Sequence, residues 1–275
     1  MNVVADTTPE WLTKLKDGGR TLPQAPAGWL NARRAEALER ANALSVPTTR
    51  DEEWRFTDLA PLRKFAFQAA KAEPTLSGKD IAAFTIPEAE TRLTFVDGQF
   101  APALSQGTTA AVCPLNEGLK THGALIEKHL ARHAGFDRQV FPALNTTWLR
   151  DGALVILPRN QSLEKPVHLL FVATQAGAAS TPRVLVVAES GAAATAIEDY
   201  VSLTTDAYFT NAVTEVVVDA NAQVRHARLQ RESLKAMHIA TTAVSVAKDG
   251  RYTSQSIALG ARLSRLNLDK IGRAH

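Results

Sequence analysis

Few side chains in this sequence have the type and spacing to do chemistry, and each has a plainer structural alternative. His129 and His133 lie four residues apart, with His122 before them, where the periodicity predicts a helix from Glu117 to His133. Leu119, Ile126 and Leu130 are its expected buried positions and Gly135 its stop. On a helix that spacing puts two imidazoles on one face, as a metal-ligand pair requires. No glutamate follows His129, so the metalloprotease pattern is missing, and the pair reads as an exposed helix face. Cys113 is the single cysteine, so neither an internal disulfide nor a four-thiolate metal site can form. Its surroundings, Ala110-Ala111-Val112-Cys113-Pro114, read as those of a buried small hydrophobe.

Glu198, Asp199 and Asp206 could serve as paired carboxylates of the kind that cleave glycosidic bonds. Acids at strand ends are more often turn and surface residues. A sugar-acting surface would also need aromatic platforms, and this region offers only Phe171, Tyr200, Tyr208, Phe209 and Tyr252, with no tryptophan beyond Trp148. His168, His226 and His238 lie in or beside predicted strands and read as core or edge histidines. There is no Gly-x-x-x-x-Gly-Lys-Ser/Thr loop, no Gly-x-Gly-x-x-Gly after a strand and no Gly-x-Ser-x-Gly elbow. No residue is therefore assigned a catalytic, cofactor-binding or metal-binding role. A non-catalytic subunit of a larger assembly is the expected function, with a β-helix carbohydrate hydrolase or lyase as the alternative.

The elements that must position these residues divide near residue 140. Thr8-Pro9 predicts a helix start, and Gly18-Gly19 closes that short helix. From Leu30 to Leu44 the residues Leu30, Ala37, Leu38, Ala41 and Leu44 share one face, Arg33, Arg34, Glu36 and Glu39 cover the other, and Pro47 ends the helix. Leu93–Val96 reads as a strand entering a tight turn at Asp97-Gly98, with Gln99-Phe100 leading out. The expected N-terminal region, 1–140, is thus mostly helical with a short β segment near 93–113.

Beyond about residue 150, β-branched runs follow one another: Ala153–Leu157, Val167–Val172, Val184–Ala188, Ala194–Ile197, Val213–Val218, Val224–Leu229, Ile239–Val246 and Tyr252–Leu259. Asp151-Gly152, Gly177, Ser190-Gly191, Asn221 and Asp249-Gly250 punctuate them. A sandwich and a stacked solenoid both fit; no clean repeat decides between them. With 45% hydrophobic and 21% charged residues the chain can build a substantial core. Its 31 basic and 28 acidic side chains are interspersed, for a net charge of +3, which argues against nucleic-acid binding. The N-terminus has an early acid and no apolar run, and no stretch approaches the ~18 apolar residues of a membrane span. A cytoplasmic location is expected.

The most specific segment is Arg50-Asp51-Glu52-Glu53-Trp54-Arg55-Phe56-Thr57-Asp58-Leu59-Ala60-Pro61-Leu62. Read physically, it is a lock. Trp54, Phe56, Leu59 and Leu62 form an apolar cluster, Asp51 and Thr57 cap turns, and Asp58 is placed to pair with an arginine. The same segment resembles the signature of the SufD side of the SufB/SufD family of iron–sulfur cluster assembly proteins. Further segments agree in order. They are Phe95–Phe100, Phe141–Thr146, Asp151–Ile156, Leu163–Val167, Pro182–Leu185, Glu198-Asp199-Tyr200, Asn211–Glu215 and Leu259–Arg265, so the resemblance spans about residues 30 to 267.

The resemblance implies a right-handed parallel β-helix behind a helical N-terminal region. It also implies a non-catalytic scaffold role beside a SufB-like scaffold and a SufC-like ATPase. No cofactor would be bound stably by this chain, and an iron–sulfur cluster would reside transiently at the partner interface. After Asn267 the sequence leaves the pattern. The β-helix domain, 141–275, is accordingly expected to be incomplete, truncated at the C-terminus, and without the family's C-terminal helical domain.

Overall fold

A computed structural model of the chain describes residues 9–70 and 76–272. Its helices are α1 (Glu10–Arg20), α2 (Gly28–Ala43), α3 (Gly78–Ile81), α4 (Leu115–Thr121), α5 (Gly123–His129) and α6 (Val140–Thr147). The strands of the N-terminal half are β1 (Gln68–Ala69), β2 (Thr91–Val96), β3 (Gln99–Phe100) and β4 (Val112–Pro114). Those that follow are β5 (Ala153–Leu157), β6 (Val167–Ala173), β7 (Ala178–Ser180), β8 (Arg183–Ala188), β9 (Ala193–Ser202) and β10 (Phe209–Val218). The last four are β11 (Gln223–Arg231), β12 (Met237–Val246), β13 (Arg251–Ala258) and β14 (Leu263–Gly272).

The eight apolar runs all become strands, and they wind into a parallel β-solenoid of about four turns. Each turn gives one strand to a first sheet, in the order β5, β8, β10, β12, β14, and the next to a second sheet, in the order β6, β9, β11, β13. Left-handed residues make the corner between the two sheets in successive turns: Asn160, Gly191, Asn221 and Asp249, with φ of 60°, 75°, 59° and 58°. Glycine is required at the second of these, because a Cβ on Gly191 would stand 2.3 Å from the Asn160 side chain stacked below it. The repeat is invisible in the sequence because its length drifts. Ala153 pairs with Val184, Val184 with Thr214, Thr214 with Thr242 and Met237 with Leu263, so successive first-sheet strands are 31, 30, 28 and 26 residues apart.

The N-terminal half contributes to the same sheets. β2 pairs in parallel with β6, the β2–β3 hairpin turns at Asp97-Gly98 with both residues at positive φ, and β4 runs antiparallel to β5. Helix α3 sets Ile81 against Leu170 and Val172 of the second sheet, and the other helices cover the outer face of the first. Trp11, Leu15, Trp54, Phe67 and Phe141 pack there against Phe209, Met237 and Ile239. Among the described residues no helix is long and apolar enough to cross a membrane.

Several expected boundaries move, each for a packing reason. Thr8 lies outside the described residues, but α1 runs through Gly18-Gly19 to Arg20. Those glycines do not stop the helix. They let it approach α6, since a Cβ on Gly18 would stand 2.3 Å from Trp148 and one on Gly19 the same distance from Thr147. α2 ends at Ala43, short of Pro47, and Arg34 is buried on its inner face, bonded to the Leu149 carbonyl at 2.7 Å and that of Pro23 at 2.9 Å. The helix expected over 117–133 is two short helices. It breaks at His122, whose Nε2 bonds the Ala110 carbonyl, and it ends at His129 because Ala131 turns left-handed at φ 58°. Three strands, β1, β7 and β14, had no expected counterpart.

Candidate functional site

Alternation along β9 and β11 turns Ala194, Ala196, Glu198 and Tyr200, and Val224, His226, Arg228 and Gln230, toward the solenoid interior. The first turns fill that interior with Leu169, Phe171, Val184 and Val186. The later turns fill it with a polar network. The Glu198 carboxylate accepts hydrogen bonds from the Tyr200 and Thr214 hydroxyls at 2.6 Å each and is 3.0 Å from His226 Nε2. His226 Nδ1 lies 2.8 Å from the Tyr252 hydroxyl. Nearby, Glu232 accepts from the Tyr208 and Thr210 hydroxyls at 3.1 and 3.3 Å and from His238 Nδ1 at 2.6 Å. The Arg228 guanidinium donates to His238 Nε2 and lies 5.1 Å from the Tyr200 ring centroid, linking the two halves.

The charge states follow from these contacts. Burial pushes the Glu198 carboxyl up, but His226 and the two hydroxyls outweigh it and hold it down at about 2. Glu232 is also lowered: burial raises it, and His238 and Tyr208 more than reverse that. Burial lowers His238 despite Glu232, so at neutral pH its single proton sits on Nδ1 and Nε2 is the acceptor Arg228 needs. Tyr200 is driven well above its ordinary value by burial and by Glu198. The result is two carboxylates with three contacts each, a hydrogen-bonded layer that fixes the spacing of the two sheets.

A second buried network joins the helices to the outer face of the first sheet. Glu215 on β10 accepts four backbone N–H bonds, from Ala131, Arg132, His133 and Ala134, at 2.7 to 3.0 Å. It also pairs with Arg183 at 2.6 Å, both side chains being buried. Arg183 in turn donates to Asn145 Oδ1, and the Asn145 amide spans the Pro182 and Asn211 carbonyls at 2.9 and 2.7 Å. Asn211 donates to the Phe141 carbonyl at 2.8 Å. Burial raises the Glu215 carboxyl, and Arg183 together with the amides of Ala134, His133 and Ala131 overcomes it and holds it low.

The residues singled out from sequence fall into place around these networks. Glu198 and Asp199 are not surface acids; both are fully buried. As neighbours on one strand they point to opposite faces, so they cannot flank one substrate. Asp199 faces outward, bound by Arg231 and 3.5 Å from His168 Nε2. Asp206 is exposed in a corner loop, paired with Lys235. His168, His226 and His238 are all core residues. His129 is buried, not on an exposed face. Its Nδ1 is 3.2 Å from His133 Nε2 and the ring centroids are 5.4 Å apart. One of these two ring nitrogens carries the proton and donates to the other, so the pair is joined by a hydrogen bond. Burial and His133 lower His129 to about 4. Cys113 is buried on β4, its thiol pushed up to about 11 by burial first and by Glu117 and Asp151 after it. Among the described residues no group of three or more His, Cys, Asp or Glu side chains could share a metal ion. Arg183, Glu215, Arg228 and Glu232 were not singled out; Arg183 and Glu215 do lie in the resembling segments, and that was their only signal.

Two family models match the chain: the SufBD protein N-terminal region over residues 8–169 and the SufBD core domain of SUF system FeS cluster assembly over residues 171–273. The chain belongs to the SufBD family. It is 39% identical over 259 residues to an iron–sulfur cluster assembly SufBD family protein of Synechocystis, covering 86% of this chain and 55% of that one. Against the iron–sulfur cluster assembly protein SufD of Escherichia coli it is 28% identical over 235 residues, covering 84% of this chain and 53% of the relative. Against SufD of Bacillus subtilis it is 30% identical over 219 residues, covering 74% and 48%. The chain spans about half the length of the curated relatives it matches.

The SufBD segments read from sequence turn out to be the joints of the fold. Asn145, Arg183, Asn211 and Glu215 build the outer network, and Glu198 and Tyr200 the inner one. The signature segment is the lock expected, with a different bolt. Asp58 caps the turn at Ala60, while Arg265 on β14 donates to Thr57 and to the Glu53 carbonyl and stacks 3.9 Å from the Trp54 ring centroid. Phe56, placed in that cluster from sequence, is instead 93% exposed, because the turn that buries Trp54 and Leu59 points it outward.

Proposed function

We propose that this SufBD chain acts as a non-catalytic scaffold subunit in iron–sulfur cluster assembly, in the cytoplasm, beside a SufB-like scaffold and a SufC-like ATPase. The cluster is cargo, handled transiently at the partner interface, and no cofactor is held stably by the chain itself. The observation that carries this reading is the pair of family matches, which together cover both the helical region and the solenoid. The site chemistry agrees: the buried ionisable groups of the solenoid are engaged with one another, and their evident work is to hold two sheets and a helical layer in register.

The test is co-expression of the chain with SufB and SufC homologues from one source, followed by co-purification and anaerobic cluster reconstitution with iron and sulfide. The expected result is a stable complex whose cluster yield depends on the chain. Failure both to co-purify and to alter cluster yield overturns the proposal.

A further inference from the structure

A cleft of about 410 Å3 opens between the end of α2, the loop that follows it and α1. Leu12 and Val46 form part of its wall, and Lys16 reaches it from α1. Lys16 is only 8% exposed, and its ammonium makes no hydrogen bond or ion pair to any described residue. Every other contact in the neighbourhood goes elsewhere. Asp17 is taken by Arg20 and Glu10 by Lys14. Asp51, the one acid lining the cleft, spends its Oδ2 on the Thr48 backbone N–H and hydroxyl.

The stem of Lys16 is buried while its ammonium opens on the cleft, where no described residue supplies a counter-charge. Burial and Arg20 accordingly lower the Lys16 pKa. A second cation, Arg63, lines the same cleft, as do the Asn42 amide and the Ser45 hydroxyl, for which no side-chain hydrogen bond is made within the described residues. Two cations and two neutral donors around a cleft of this volume match a small oxyanion-bearing molecule, whose charge would satisfy Lys16 as no described residue does.

We propose that this cleft binds a small phosphate-bearing ligand, with its oxyanion between the Lys16 ammonium and the Arg63 guanidinium. The site is independent of the scaffold reading, since it lies on the helical layer and uses none of the solenoid networks.

Isothermal titration of the chain with pyrophosphate, and with citrate as the carboxylate comparison, tests it. Saturable pyrophosphate binding that weakens about 10- to 100-fold in Lys16→Met is expected, the range of one charge-assisted contact. Arg63→Gln should weaken it less, because that side chain is exposed. Without ligand, Lys16→Met should melt at a higher temperature than the parent, because it keeps the apolar stem and removes the unpaired charge; a purely structural lysine would give the reverse. The proposal is overturned by the absence of saturable binding at millimolar pyrophosphate, by binding that Lys16→Met leaves unchanged, by a lowered melting temperature in that variant, or by citrate binding as tightly as pyrophosphate.

Discussion

Replacing Glu215 with alanine should unfasten the helical layer from the solenoid while leaving the solenoid's own ladders intact. The carboxylate is the common acceptor of the four N–H groups of Ala131–Ala134 and the counter-charge of Arg183. Removing one partner of a buried ion pair costs about 3–5 kcal/mol, because the other charge stays buried and unpaired. The freed amides can turn to water and recover part of their own share, so a loss of about 4 kcal/mol is expected in urea denaturation. Hydrogen exchange should localise the damage, with amides 131–134 exchanging faster and those of β10 and β12 little changed. The double variant Arg183→Met/Glu215→Leu should recover much of the loss, since apolar replacement of a buried pair is often close to neutral. A loss below about 1 kcal/mol, or unchanged exchange at 131–134, would refute the assignment of Glu215 as the fastener.

Glu198 is held at about 2 in the fold against an ordinary 4.5, so its contribution is present above the unfolded value and lost as pH falls from about 5 toward 2. Urea midpoints across that range should decline by the equivalent of roughly 3 kcal/mol for this group, and Glu198→Gln should flatten the slope. Gly18→Ala should destabilise by about 1–3 kcal/mol through overpacking against Trp148, whereas Gly28→Ala, with open space at its Cβ, should not, as thermal melts would show. Cys113, with its thiol raised to about 11, should resist iodoacetamide in the native protein at pH 8 and be labelled fully in denaturant, as intact-mass measurement would read.

The sequence by itself determined the strands, because β-branched runs between left-handed corner residues can do little else, and it determined the family through segments whose order survives at 39% identity. It determined Cys113 as a core residue for the same reason, an apolar local setting. It could not choose solenoid over sandwich from periodicity, since the turns drift from 31 to 26 residues and each strand alternates alike in either architecture. Nor could it tell an inward acid from a surface one. Glu198 and Asp199 look like strand-end acids until strands some thirty residues apart bring His226 and Arg231 beside them. Helix ends were misplaced where a tertiary partner outbid the local signal: Trp148 against Gly18-Gly19, and Glu215 for the amides after His129. Local chemistry fixes which segments extend or coil; which charges are buried, and whom they pair with, is decided only when distant turns stack, because the counter-charge is supplied by another turn of the chain.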